Sequence, residues 1–173
     1  PPRSTLFPYT TLFRSDMARR RRAEKREVTP DSRYGSKTVT LLVNFTMRQG
    51  KKSVAEKIIY GAFDKLAAEK QGSDPLEILE RAVSNARPRL EVKSRRVGGA
   101  TYQIPLEIST SRQTALALRW MVSFSQARKG VPMKDALATE IRDASEGQGS
   151  CIRKRDEMHK MAQANKAFAH FRW

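Results

Sequence analysis

The chain has 173 residues, the size of one ordinary domain, and carries 34 lysines and arginines against 18 aspartates and glutamates, a formal net charge of +16. Its single cysteine excludes an internal disulfide and, with only two histidines, an ordinary structural zinc site. No apolar run approaches the roughly 20 residues that a membrane-spanning helix needs, whereas so large a positive charge indicates a polyanionic partner, either a nucleic acid or an anionic membrane surface.

The first sixteen residues differ from the rest of the chain. Residues 4–15 read STLFPYTTLFRS and lack the charged start, unbroken apolar stretch and small-residue end of a secretory signal. The string is similar to a translated sequencing adapter, so we interpret residues 1–16 as a non-native extension and Met17 as the native start. A disordered native extension is the alternative. Residues 17–35 are then predicted to form a basic, flexible N-terminal arm.

The segment over residues 36–49 has two periodicities. A strand is indicated by alternating apolar residues, namely Val39, Leu41, Val43 and Phe45. A helix is indicated equally well by one apolar face, namely Val39, Leu42, Val43, Thr46 and Met47. Periodicity leaves both structures open, although Gly50 suits the position just past the end of a helix.

Two helices are predicted with better-defined patterns. The first covers residues 52–70, with an apolar face of Val54, Ile58, Ala62 and Leu66 and with Ile59 and Phe63 alongside. The second begins at Asp74, whose side chain can cap the helix. Pro75 suits the first helical position, and Glu77 completes a capping-box pattern. It is expected to end near Arg87, because Pro88 disfavours helical geometry at the residue before it.

Residues 89–109 change to the period of a strand. The first run alternates at Leu90, Val92 and Ser94, and the second alternates at Tyr102, Ile104, Leu106 and Ile108. The pattern predicts a β-hairpin with its tip near Val97–Ala100, around Gly98 and Gly99. Pro105 would break a central strand, but a two-stranded ribbon has only edge strands and can accommodate it.

Helical periodicity returns for the remainder of the chain. Helices are predicted over residues 111–129, 132–146 and 150–169. The last of these has a thinner apolar face, made of Met158, Met161, Ala162 and Phe168. Residues 36–173 are therefore predicted to form one mostly helical domain with a projecting β-ribbon.

Three residues, His159, His170 and Cys151, are of types that can catalyse reactions or bind metal ions. His159 and His170 are about three helical turns apart, too far to share one metal ion, and Cys151 has no nearby histidine to activate it. We interpret all three as surface groups, or as RNA-facing donors in the case of the histidines. Residues 50–53 lack the spacing of a phosphate-binding loop. The sequence predicts no enzyme, no metal site and no cofactor.

Basic residues concentrate in three segments, which are the arm, the ribbon and the final helix with its tail. Any one of them could be a solvated surface, but three together with the net charge indicate nucleic-acid binding. A DNA-architectural protein is one alternative, although such proteins place an apolar wedge where this ribbon has glycines. A peripheral membrane protein is another, but it would need large apolar residues opposite the basic face of a helix.

Four motifs are similar to one known family. They are VKSRRVGG at residues 92–99 followed by TYQ at 101–103, GKK at 50–52, ALALRW at 115–120 and ANKAFAHFRW at 164–173. Together they resemble the bacterial small-subunit ribosomal protein seven family, collinearly from Met17 to Trp173. The resemblance implies a mainly α fold, a six-helix bundle with a protruding two-stranded β-hairpin arm between helices three and four, and so a helix at residues 36–49.

The resemblance also implies partners and site residues. The family binds the 3′ major domain of small-subunit rRNA and nucleates assembly of the head, and it lies in the cytoplasm near the exit site, beside small-subunit ribosomal proteins nine and eleven. The resemblance implies no membrane partner, no cofactor and no self-oligomer. The rRNA-binding residues would be Arg19, Arg20, Arg21, Arg22, Lys51, Lys52, Lys93, Arg95, Arg96, Arg112, Arg119, Arg153 and Lys154. The residues facing exit-site tRNA and mRNA would be Gly98, Gly99, His159, Lys166, His170 and Arg172.

Overall fold

Six α-helices surround one apolar core in the computed structural model, which describes residues 26–69, 74–97 and 99–171. The helices are α1 (Lys37–Thr46), α2 (Lys52–Glu69), α3 (Pro75–Ala86), α4 (Thr110–Ala127), α5 (Met133–Ser145) and α6 (Ser150–Ala164). Between α3 and α4 lies an antiparallel hairpin of β1 (Leu90–Val97) and β2 (Ala100–Glu107), and a 3-10 helix (Lys166–Phe171) follows α6. The predicted bundle with a hairpin arm is confirmed. Of the helices described, none is long and apolar enough to span a bilayer.

The ambiguous segment at residues 36–49 forms helix α1. The Ser36 side chain accepts a hydrogen bond from the Thr38 N–H at 3.2 Å, and the face through Val39 and Val43 is buried. The expectation that Gly50 directly follows the helix is wrong, because α1 ends at Thr46. Gly50 instead lies in a turn with a φ of +73°, a left-handed conformation that favours glycine.

The segment before α1 is fixed to α2. The Asp31 carboxylate accepts hydrogen bonds from the Arg33 and Tyr34 backbone N–H groups and from the Tyr60 hydroxyl at 2.9 Å. The Tyr34 ring packs edge-on against Phe63, with 5.1 Å between ring centroids. The last residues of the predicted arm are therefore held against the helical body.

Helix α2 buries four of the six apolar residues that we expected, and its buried face differs from the expected one at the start of the helix. Val54 is 51% exposed, and the buried positions are Ala55, Ile59, Ala62, Phe63 and Leu66. A row spaced strictly every four residues drifts by about 40° at each step around a helix of 3.6 residues per turn. The buried face alternates steps of four and three, so it stays against α1 and α5.

Helix α3 begins and ends where local signals placed it. The Asp74 carboxylate accepts a hydrogen bond from the Leu76 N–H at 3.0 Å, and Pro75 occupies the first turn. The helix ends at Ala86, two residues before Pro88. Both boundaries follow from sequence because the residues that fix them are adjacent to the ends.

The alternating apolar residues of β1 and those of β2 lie on opposite faces of the hairpin. Val97 pairs with Ala100 at the tip, which confirms the expected turn, and Val92 pairs with Pro105. Directly opposed residues share a face, so the even-numbered residues of β1 lie on the side away from Ile104. Ile104 is fully buried on the side that faces α6 and the 3-10 helix.

The last helix also differs from its sequence pattern. It ends at Ala164, and its buried residues are Cys151, Ile152 and Ala162, whereas Met161 is 40% exposed. The interpretation of Cys151 as a surface group is wrong, since its side chain is fully buried among the core helices. Burial raises the pKa of the Cys151 thiol far above its ordinary value, so it stays protonated.

Candidate nucleic-acid interface

Strand β1 presents three exposed basic side chains near the hairpin tip. Lys93 and Arg95 lie on one face of the hairpin and Arg96 on the other. Neither Arg95 nor Arg96 forms an ion pair with any residue that the structure describes. Gly99 follows with a φ of +89°, which allows the tight reversal. The hairpin therefore carries positive charge on both faces, next to a tip with little side-chain bulk.

The hairpin packs on the last helix and the 3-10 helix. The rings of Tyr102 on β2 and Phe168 on the 3-10 helix have centroids 5.0 Å apart. At the base of the hairpin the Arg89 N–H donates to His159 Nε2 at 3.0 Å. We call the surface formed in this way the hairpin–C-terminal surface, comprising Lys93, Arg95, His159, Lys166 and His170, while Arg96 lies on the opposite face of the hairpin.

The two histidines on this surface are already engaged within the protein. His159 is partly buried, and because its Nε2 accepts from Arg89, the expectation of a surface group that donates to RNA is wrong for that atom. Burial, assisted by the charge of Arg155, lowers the pKa of His159, so the ring is neutral at neutral pH. His170 is exposed, with its Nδ1 2.8 Å from the Ala167 carbonyl oxygen.

Arg112 joins the start of α4 to the base of the hairpin. Its Nε and Nη2 atoms donate to the two Glu91 carboxylate oxygens at 2.7 and 2.6 Å, a bidentate pair. These hydrogen bonds hold the pKa of Glu91 below its ordinary value, so the pair stays ionised. The Arg112 side chain is 49% exposed despite this pairing. In the free protein this pair links the base of the hairpin to the first turn of α4.

Three other predicted residues lie on the helical body around α1. Arg119 on α4 is exposed, with its guanidinium carbon 5.7 Å from the centre of the Phe45 ring, a cation–π contact. Lys51 and Lys52 are exposed at the start of α2. The Lys52 ammonium lies 3.6 Å from a Glu56 carboxylate oxygen, one helical turn away.

Arg153 and Lys154 occupy the first turns of α6. Arg153 is exposed, and its side chain forms no ion pair with a described residue. The Lys154 ammonium lies 3.3 Å from a Glu157 carboxylate oxygen. These residues belong to the same helix as His159, so α6 connects them to the hairpin–C-terminal surface. Some predicted positions, namely Arg19, Arg20, Arg21, Arg22, Gly98 and Arg172, lie outside the described residues, as do residues 1–16.

Sequence reasoning missed the buried acid that supports α6. Glu140 on α5 is fully buried, and its Oε1 accepts from the Ser150 and Cys151 backbone N–H groups, both at 3.1 Å. Its Oε2 accepts from Arg128 at 2.8 Å. An acid at an apolar position of α5 was the only signal, and it does not identify a partner ten residues away.

Comparison with known proteins agrees with the fold. Residues 18–166 match the sequence model of a family described as ribosomal protein S7p/S5e. A protein of Akkermansia muciniphila described as small ribosomal subunit protein uS7 is 55% identical over 157 residues, 91% of this chain and 100% of that protein. The uS7 protein of Arthrospira platensis gives the same values, and that of Thermotoga neapolitana is 53% identical over 155 residues, 90% of this chain and 99% of that protein.

The match spans most of the chain, and the structure has the six helices and hairpin arm that the resemblance implied. The chain belongs to the ribosomal protein S7p/S5e family, whose members are structural, non-enzymatic constituents of the small ribosomal subunit.

Proposed function

We propose that this protein binds the 3′ major domain of small-subunit rRNA directly, nucleates assembly of the head, and lies near the exit site. In this proposal the hairpin–C-terminal surface approaches exit-site tRNA and mRNA, and small-subunit proteins nine and eleven are neighbours. The observation that carries the RNA-binding proposal is the hairpin itself. Arg95 and Arg96 are exposed, form no ion pair with a described residue, and project from a chain with a net charge of +16.

The mechanism follows from phosphate chemistry and from rigidity. Lysine and arginine side chains neutralise phosphates and release counterions, so affinity should fall steeply with salt. Side chains read the folded shape of RNA more readily than the base edges of its deep, narrow groove. Arg112 and His159 fix the base of the hairpin to the helical body. The protein therefore offers a preformed surface, which can hold an RNA junction in one geometry.

The test is filter binding of the full chain to the 3′ major-domain rRNA fragment, with duplex DNA as competitor. The double variant Arg95→Ala with Arg96→Ala should raise the dissociation constant at least about tenfold, because each hydrogen bond to a charged group contributes about 1.5–3 kcal/mol. The matched control is Lys57→Ala with Lys129→Ala, which removes the same charge from exposed positions elsewhere. Equal affinity of the two double variants would contradict the hairpin's role, and equal affinity for DNA would contradict rRNA recognition.

A further inference from the structure

A groove separates α4 from α6, and one stripe of each helix lines it. The lining includes Trp120, Ser123 and Phe124 from α4 and Arg153, Lys154 and Glu157 from α6. The α4 residues are spaced at i, i+3 and i+4, and the α6 residues, counted from Ser150, which also lines the groove, are spaced at i, i+3, i+4 and i+7. Each set therefore lies on a single helical face. The cavity between the faces has a volume of about 450 Å³.

One side of the groove is aromatic. Trp120 and Phe124 pack against the core while each keeps part of its surface exposed. The Trp120 indole N–H donates to no residue that the structure describes. An aromatic ring that is held by a core and open on one side is a stacking platform for a flat ligand, because nucleobases and aromatic rings stack through their faces.

The other side of the groove is positively charged. Arg153 and Lys154 oppose the rings, and only Glu157 among the lining residues carries negative charge. Glu157 lies 3.3 Å from the Lys154 ammonium, which leaves the Arg153 guanidinium without an ion pair among described residues. The groove therefore suits a ligand that is both planar and anionic, a combination that a nucleotide provides.

We propose that this groove receives one unpaired nucleotide of the bound RNA. Its base stacks on Trp120 and Phe124, and its phosphate is bound by Arg153 and Lys154. The base has to be unpaired, because a base inside an A-form duplex is stacked on its neighbours and cannot reach a side chain. The inference rests on the proposed function for the identity of the polyanion, and it adds a base-stacking site on the helical body, apart from the hairpin.

The test uses the full chain and a fluorescence signal from the groove. The protein has two tryptophans, so Trp173→Phe leaves Trp120 as the only one. Titration with the 3′ major-domain rRNA fragment should quench Trp120 emission, with the same midpoint as filter binding. Trp120→Leu should weaken filter binding about five- to a hundredfold, the range expected for losing one stacked base.

Loss of folding is controlled by a second variant. Arg153 is exposed, so Arg153→Ala should keep the circular dichroism spectrum and unfolding midpoint of the parent while weakening binding more than Lys57→Ala does.

If the fragment binds but Trp120 emission is unchanged, and Arg153→Ala binds like Lys57→Ala, the groove proposal is wrong and the proposed function stands. If neither the parent nor any variant binds the fragment, the proposed function fails first. A change in Trp120 emission on adding other small-subunit proteins, but not RNA, would make the groove a protein interface and overturn the proposal.

Discussion

At the scale of single residues, a buried carboxylate takes the place of a helix cap. Gly149 precedes α6 and has no side chain with which to cap it. Glu140 supplies that function from α5, since it accepts hydrogen bonds from the first two N–H groups of α6 and is neutralised by Arg128. A side chain at position 149 would be strained, because its φ is +91° and a Cβ there would lie 3.1 Å from Asp143.

Glu140→Gln should therefore destabilise the fold. The substitution keeps one acceptor oxygen but removes the charge that faces Arg128 and places an amide N–H₂ where an acceptor is needed. We expect a loss of about 1–3 kcal/mol in the free energy of unfolding, the usual cost of an unsatisfied buried polar group. The measurement is urea denaturation, with Glu80→Gln on the exposed side of α3 as control, expected within about 0.5 kcal/mol of the parent. Equal stability of the two variants would contradict the capping role.

His159 should make stability depend on pH. Its pKa in the folded protein lies below its ordinary value of 6.5, so the unfolded chain binds the proton more tightly. The stabilisation is fully present above pH 6.5 and is lost as the pH falls through the lowered pKa of the folded state. His159→Gln should therefore show a shallower loss of stability than the parent between neutral and mildly acidic pH. An NMR titration of the folded protein that gives His159 a pKa at or above 6.5 would show that its surroundings do not disfavour the proton.

At the scale of elements, the hairpin depends on the C-terminal segment for its orientation. It has only two strands, and such a pair alone is marginally stable in water. Ile104 is buried toward α6, Tyr102 packs on Phe168, and Arg112 holds Glu91 at the base. The 3-10 helix is thus part of the support of the hairpin as well as part of the same surface.

Phe168→Ala should loosen the hairpin more than it loosens the body. An aromatic pair contributes about 0.5–1.5 kcal/mol beyond its buried area. We expect amide hydrogen exchange in β1 and β2 to accelerate roughly two- to tenfold, with little change in α3 and α5. Met161→Ala, at an exposed position on α6, is the control and should leave hairpin exchange unchanged. Equal acceleration in the hairpin and the core helices would show that Phe168 supports the whole fold instead.

The elements that could be predicted are those whose determinants are local. Asp74 and Pro75 define the start of α3 by themselves, and Gly98 and Gly99 identify the hairpin turn. The segment at residues 36–49 could not be assigned by periodicity, because its apolar residues fit both periods, and only the family resemblance indicated a helix. The first turns of the buried face of α2 were misplaced, because the positions of α1 and α5 decide which stripe is covered.

At the scale of the whole molecule, the sequence predicted a surface that binds a polyanion, but it did not predict which segments come together to form that surface. The net charge and the three basic segments are sufficient by themselves to indicate a polyanion-binding protein. The contact of Tyr102 with Phe168 and the hydrogen bond from Arg89 to His159 each join positions more than sixty residues apart, so no local pattern could reveal them. The same contacts explain why two basic segments that are separate in sequence form a single surface.

Directed cleavage tests whether the hairpin lies against rRNA. The single native cysteine is buried and its raised pKa keeps it protonated, so Cys151 should resist thiol reagents in the folded protein. An iron chelate attached at Ser94→Cys, an exposed position between Lys93 and Arg95, would then report from the hairpin alone. The unsubstituted protein treated identically is the control.

The measurement is cleavage of the 3′ major-domain rRNA fragment bound to the labelled full chain. If the hairpin lies against the RNA, we expect strand scission that is confined to a few neighbouring sites and is suppressed when excess unlabelled protein competes. Cleavage no stronger than with the treated parent protein, while the complex remains intact by filter binding, would mean that the RNA is bound away from the hairpin.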